Sequence, residues 1–135
     1  MRSTPEHLPG HLRATVGLRV DLIDTPALVV DLDAMERNIQ RMAEFAHKHQ
    51  VRWRPHAKMH KSAEIALQLE KAGARGHCVQ KVSEAEALAA GGVADLYISN
   101  EVLAGAKLLR AARLAAQLAA RGGRLAIAVD SEEGI

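Results

Sequence analysis

Residues 54 to 61 read R-P-H-A-K-M-H-K and set Arg54, His56, Lys58, His60 and Lys61 within eight positions, directly after an apolar-alternating run. Crowded cations around a lysine have a chemical use. A free lysine ammonium, with a pKa near ~10.4, is protonated and cannot attack a carbonyl. Neighbouring positive charge and desolvation favour the neutral amine, which is the condition for forming a Schiff base. Three other readings share these residues: a solvated basic strand end, an oxyanion or phosphate held by Arg54 with Lys61, and a metal held by His56 and His60. Four residues of strand span roughly 13 Å, too far for two ligands that must each approach one ion to about 2.1 Å. A helix would cure that spacing, but Pro55 argues against one there.

If Val51 to Lys58 is extended, its two-residue period puts Arg52, Arg54, His56 and Lys58 on one face and Val51, Trp53, Pro55 and Ala57 on the other. The elements around it alternate. Residues 1 to 26 carry Pro5, Pro9, Gly10, Gly17 and Pro26 and form an irregular lead-in, with one short strand expected around Leu18 to Leu22. Ala27 to Leu32 suits a buried strand. A helix to about His49 follows, opened by a capping box at Asp33 and Glu36. Val51 to Ala57 is expected as the second strand, and Ser62 to Ala72 as a helix stopped by Gly73. The order then repeats: strand Gly76 to Gln80, helix from a Ser83 and Glu86 box to Gly91, strand Ala94 to Ser99, helix Leu103 to Ala120, strand Arg124 to Asp130.

Strands alternating with helices of this length imply βαβ units and a parallel sheet. An open doubly wound sheet and part of a closed (β/α) barrel both fit. A basic inner strand face is costly unless an anion sits against it, and Lys58 falls at the carboxyl end of its strand, where both architectures place their chemistry. No Gly-rich nucleotide fingerprint is present, since Gly91 and Gly92 follow a helix rather than open one. The chain ends in Ser-Glu-Glu-Gly-Ile just after a strand, and a whole barrel takes about 250 residues. The expectation is therefore a fragment, residues 27–135 being the amino-terminal part of the barrel.

Composition narrows the function classes. The 135 residues are 48% hydrophobic and 25% charged with a formal charge of +2, so no global field recommends nucleic acid or an anionic membrane. Trp53, Tyr97 and Phe45 are the aromatic residues, too few for stacking single-stranded nucleic acid. The single cysteine, Cys78, cannot form an internal disulfide and agrees with a reducing cytosol. No apolar run of about 18 residues is present, so a cytoplasmic chain is expected.

Three blocks carry a family resemblance: L-I-D-T-P-A-L-V-V-D-L-D-A-M-E-R-N-I, then R-W-R-P-H-A-K-M-H-K-S, then G-A-R-G-H-C-V-Q-K-V-S-E-A-E-A-L-A-A-G-G-V-A-D-L-Y-I-S-N-E-V. In this order they resemble the amino-terminal half of the D-threonine aldolase and D-serine dehydratase family, pyridoxal-phosphate enzymes of the alanine-racemase-like fold. The resemblance implies an α/β fold, a partial (β/α)8 TIM-type barrel, about the first half. It implies Lys58 as the lysine that forms the Schiff base with pyridoxal 5'-phosphate, with His56, Arg54 and Gln80 near the cofactor. It further implies a homodimer, a D-3-hydroxy amino acid as substrate, and a divalent metal (Mn or Mg) held by a carboxy-terminal β domain with no counterpart here. The block Gln80 to Ala87 resembles the aldolase branch more than the dehydratase branch. A non-catalytic pyridoxal-phosphate-binding protein and an inert fragment are the alternatives, and this chain alone is expected to be inactive.

Several residues have plainer readings. Gln80 and Lys81 end a strand and could touch a cofactor ring or simply precede a cap. Asn100 and Glu101 could cap a helix or contact substrate. Cys78 reads as a small buried side chain rather than a nucleophile, and His77 must face away from it, with either one pointing inward. His47 and His49 end a helix, where an imidazolium meets the negative end of the dipole.

Overall fold

The computed structural model describes residues 17–132. Pro5, Pro9 and Gly10 of the lead-in, and the last three residues, lie outside the described residues. The chain divides into two compact units, residues 1–36 and 37–135.

In the first unit, the strand expected around Leu18 to Leu22 is instead a 3-10 turn over Val20–Leu22. The apolar run from Ala27 is likewise no strand. Strand geometry has to be held by a ladder to a neighbour, and no described segment pairs with it, so Leu28 is 88% exposed. Helix α1, Leu32–Lys48, starts earlier than expected. Its cap is Asp31, whose Oδ1 accepts the Ala34 N–H at 2.9 Å, in place of the Asp33 and Glu36 box. The helix continues into the second unit, where Ala46 is buried.

The second unit is built on three parallel strands in the order β1 (His77–Val79), β2 (Asp95–Ile98) and β3 (Arg124–Ile127). Helices α2 (Ala63–Lys71), α3 (Val82–Ala90) and α4 (Gly105–Ala119) precede them in turn, which gives the alternation read from the sequence. One face of the sheet is dry. Val79, Leu96 and Ile98 are fully buried with Ala66, Leu88, Val93 and Leu118 in one cluster. Each such large side chain contributes roughly 1.5–3 kcal/mol by leaving water. The register pairs Cys78 with Tyr97 and Tyr97 with Ala126, so these three share the other, open face.

The strand expected over Val51 to Ala57 is reduced to a single bridge between His56 and Cys78. The backbone does run beside β1, as the Cys78 N–H donates to Pro55 O at 2.8 Å and the Arg75 N–H to Trp53 O at 2.9 Å. A regular parallel ladder would next pair Arg54 with Gly76 through the N–H of residue 55. Pro55 has none, so the ladder stops after one rung.

The helix ends follow elementary rules. Ser62 caps α2, its Oγ accepting the Ile65 N–H at 3.2 Å, and Gly73 leaves it at φ +103°. For α3 the expected Ser83 and Glu86 box is displaced two residues: the helix begins at Val82 and Glu84 occupies the third position.

Candidate active site

The carboxyl end of the sheet holds the sequence's basic motif. After the His56 bridge the chain turns sharply into one 3-10 turn, Ala57–Met59, which carries Lys58. His56 anchors this turn. Its Nδ1 accepts the Lys58 N–H at 3.3 Å, and its Nε2 lies 3.2 Å from Ser99 Oγ, just beyond β2. The Ser99 hydroxyl donates to Val79 O at 3.3 Å, so it is free to accept from His56. The network therefore assigns one tautomer: a neutral imidazole with its proton on Nε2. Burial, and then the Lys58 charge, hold the His56 pKa below the ordinary histidine value, against a smaller opposing pull from Glu84. Through His56 and Ser99 the turn bearing Lys58 is tied to the ends of β1 and β2.

A second set of contacts closes the same turn. The Lys61 N–H donates to Ala57 O at 2.8 Å with Lys61 at φ +51°, a left-handed conformation uncommon for a residue with a Cβ. His60 Nδ1 accepts the Ser62 N–H at 3.1 Å, while its buried Nε2 has no partner. Burial lowers the His60 pKa, the Ser62 contact opposing it. Lys61 Nζ sits 3.6 Å from Glu84 Oε1. Burial pushes the Glu84 carboxyl up, but hydrogen bonds from the Gln80 and Lys81 N–H groups and the Lys61 charge outweigh it and hold the pKa below the usual range.

The cation crowding read from the sequence is dispersed in the fold. Arg54 lies at the opposite, amino end of the sheet, where its guanidinium is 2.8 Å from Asp95 Oδ1 and donates to Asp95 O at 3.3 Å. Lys61 is taken by Glu84, and both nearby histidines are held towards neutrality. Lys58 is exposed, and its Nζ has no carboxylate partner among the described residues. Of the residues picked from the sequence, the structure brings Lys58, His56 and Gln80 to one end and leaves Arg54 at the other. Gln80 is half-buried just past β1, its N–H bound to Glu84 at 2.9 Å.

The strand faces left open by the sequence are now assigned. His77 is fully buried on the helix side, where its Nε2–H donates to Ala66 O at 3.0 Å and Nδ1 has no partner. Glu70 approaches it to 3.8 Å. Burial lowers the His77 pKa and raises that of Glu70, and both shifts disfavour an ion pair between them. Cys78 takes the open face, half-buried, its thiol pushed up by burial against a smaller pull from Arg54. That keeps it protonated and unreactive. Asn100 and Glu101 cap nothing, because α4 begins at Gly105 after Ala104. His49 packs its ring on Phe45 at 4.4 Å, just past the end of α1.

Ser99 and Glu84 are the site residues the sequence reading missed. For Ser99 the available signal was the period: Asp95, Tyr97 and Ser99 alternate onto the face that His56 also occupies. For Glu84 it was an acid three residues beyond the end of a strand turn, the spacing of a box with backbone at its other half. Among the described residues, no group of three histidine, cysteine or acidic side chains could hold a metal.

A family model for the alanine racemase N-terminal domain matches residues 30–134. Among curated relatives, a 3-hydroxy-D-aspartate aldolase of Paracoccus denitrificans (strain Pd 1222) is 45% identical over 123 residues, which are 90% of this chain. The chain spans 31% of the length of that relative. Among solved structures, a D-threonine aldolase from Filomicrobium marinum superposes with a TM-score of 0.77 at 46% identity, covering 83% of this chain and 29% of that one. A D-threo-3-hydroxyaspartate dehydratase from Delftia sp. HT23 superposes with a TM-score of 0.71 at 40% identity, covering 84% of this chain and 28% of that one.

Proposed function

This chain belongs to the alanine racemase N-terminal domain family, and from that premise we propose that the protein it forms is a pyridoxal-phosphate-dependent lyase that cleaves D-3-hydroxy amino acids. The fold is the corresponding α/β architecture, a portion of a (β/α) barrel. We assign residues 27–135 to that barrel, with residues 1–26 as a lead-in. The observation that carries the reading is Lys58: an amine without a carboxylate partner among the described residues, at the carboxyl end of a parallel sheet, on a turn fixed by His56 and Ser99.

The residues present fit the cofactor at its aldehyde end. Lys58 would hold it covalently, and His56 and Gln80 stand at the same end of the sheet. When bound, pyridoxal phosphate supplies an electron sink for the bond broken at the substrate Cα. The chain's own residues do the positioning. His56, with its Nε2 proton directed at Ser99, holds the Lys58 backbone. Glu84 fixes the Gln80 and Lys81 backbone and pairs with Lys61, so that Lys58 is the amine of the turn without a carboxylate partner among the described residues.

In the aldolase reaction the β-hydroxyl proton is removed, the Cα–Cβ bond breaks, and glycine and an aldehyde leave. The dehydratase reaction expels the β-hydroxyl as water and ends in a 2-oxo acid and ammonia. Aldolase is the favoured reading, supported by the two aldolases above and by Q-K-V-S-E-A-E-A at Gln80 to Ala87. The full-length protein is proposed to be a cytoplasmic homodimer that uses a divalent metal. No described helix is long and apolar enough to cross a membrane.

The test is product analysis of the full-length protein with pyridoxal phosphate and D-threonine or D-3-hydroxyaspartate. Glycine with an equimolar aldehyde, lost in Lys58→Ala, is the expected result. A 2-oxo acid and ammonia would move the reading to the dehydratase, and activity kept in Lys58→Ala would overturn it.

A further inference from the structure

The opposite end of the sheet carries a second concentration of chemistry, unrelated to the Lys58 turn. A recess of about 270 Å³ is lined by Arg52, Trp53, Arg54, Arg75 and Arg124. The formal charge of the whole sequence is only +2, so four guanidinium groups on one recess are a local feature and not a sample of a basic surface. They come from three separate segments: the extended run before the Lys58 turn, the entry to β1, and the first residue of β3.

The compensating charge is one carboxylate. Asp95, at the start of β2, is shared between Arg54 at 2.8 Å and Arg124 at 2.8 Å. Glu70 is the other acid in this field; burial and then Asp95 raise its pKa, with Arg54 opposing. Arg52 and Arg75 have no carboxylate partner among the described residues. Two of the four guanidinium groups are thus fixed, and two are uncommitted at the rim.

Arg54 is built in. Arg54 also reaches Arg75 O at 3.4 Å, and its side chain is only 22% exposed. Gly76 leaves the room for it: at φ +121°, a Cβ there would stand 2.7 Å from Arg54 Nη1 and 2.4 Å from Asp95 O. Any other residue would push the guanidinium out of place. Arg54 and Arg124 thus hold positive charge in place while their hydrogen bonds go to Asp95 and to Arg75 O, and the donors open to an oxyanion are those of Arg52 and Arg75.

We propose that this recess is a second anion site, taking phosphate or a small phosphate ester at the amino end of the sheet. A recess at the lower limit of small-ligand pockets suits a small anion. A nucleic acid would need a basic track and stacking rings beyond the recess, and Trp53 is the sole tryptophan of the chain.

Calorimetric titration of the full chain with inorganic phosphate, against chloride at matched ionic strength, tests it. Saturable binding is expected, weakened by roughly tenfold in Arg52→Ala and in Arg75→Ala, one decade per lost charge-assisted contact of about 1.4 kcal/mol. Both positions are exposed, so neither variant endangers the fold. Protein already saturated with pyridoxal phosphate is expected to bind inorganic phosphate as the cofactor-free protein does, which separates this site from one for the cofactor's own phosphate. Absence of saturable heat, affinity unchanged in both arginine variants, or loss of binding in the cofactor-saturated protein would overturn the proposal. Citrate bound more tightly than phosphate would overturn the assignment to phosphate.

Discussion

Replacing Ser99 with alanine removes the oxygen through which His56, and with it the Lys58 turn, is fastened to the sheet. Ser99 Oγ accepts from His56 Nε2 at 3.2 Å and donates to Val79 O at 3.3 Å. Val79 O keeps a second donor, the Ser99 N–H at 2.9 Å, so the carbonyl is not stranded. The loss falls on the His56 Nε2–H. A fully buried unpaired donor costs about 1–3 kcal/mol, but His56 is only half-buried and water can reach it, so about 1 kcal/mol is expected. With a urea slope near ~2 kcal/mol/M, the midpoint should fall by about 0.5 M. Ser99→Thr keeps the hydroxyl and should recover most of it. A purely structural loss would not disturb the imidazole, so the second assay is nitrogen NMR of the His56 ring. The parent should show Nε2 protonated, and Ser99→Ala a mixture of tautomers. An unchanged midpoint together with an unchanged tautomer would refute the network.

Three further outcomes follow from the same geometry. Gly76→Ala combines a positive φ with a Cβ 2.4 Å from Asp95 O, and should cost more than about 2 kcal/mol by denaturation; parental stability would contradict the packing at the amino end of the sheet. Glu84→Ala strands the Gln80 and Lys81 N–H groups and frees Lys61, and should lower stability by about 1 kcal/mol in a urea titration, while a stability gain would count against its capping role. The folded forms of His56, His60 and His77 bind their protons at lower pH than the unfolded chain, whose histidines titrate near 6.5. Their contribution is therefore complete above pH 6.5 and is lost as pH falls below it, with a slope of at most about 1.4 kcal/mol per pH unit for each proton. Glu70, raised by burial, works in the opposite direction above its unfolded value of 4.5, and Glu84 and Asp95 add their losses only below their unfolded values of 4.5 and 3.8. Urea midpoints should decline below pH 6.5; a midpoint flat down to about pH 5 would show that the three imidazoles are not held neutral by the fold.

How much of this could be read in the letters varies with the kind of cause. The βα alternation was legible because buried strands and amphipathic helices leave periodic marks, and β1, β2, β3 and α2 to α4 stand within a few residues of their expected places. The run from Ala27 carried the apolar signature of a strand, yet pairing is a property of the neighbour and leaves no trace in the run itself. Pro55 was visible, and its missing N–H is why the strand through His56 makes only one rung. The caps slipped by two residues because Asp31 and Glu84 compete with equally plausible acids and serines nearby. At the site, Lys58 could be singled out by its company, but that company was misjudged. Period-2 alternation puts Arg54 and Lys58 on one face, but the four-residue rise of roughly 13 Å that parts His56 from His60 parts these two as well, and Asp95 holds Arg54 at the far end. Ser99 escaped notice because its role depends on the register between β2 and the His56 segment, a long-range fact.

The central claim is that Lys58 is the amine that receives pyridoxal phosphate. The direct measurement is borohydride reduction of the protein incubated with stoichiometric cofactor, followed by peptide mass mapping. A pyridoxyl adduct on Lys58 that is absent from Lys58→Ala is the expected result. Adducts spread equally over Lys58, Lys61 and Lys81, or a near-ultraviolet spectrum of bound cofactor that survives in Lys58→Ala, would contradict it.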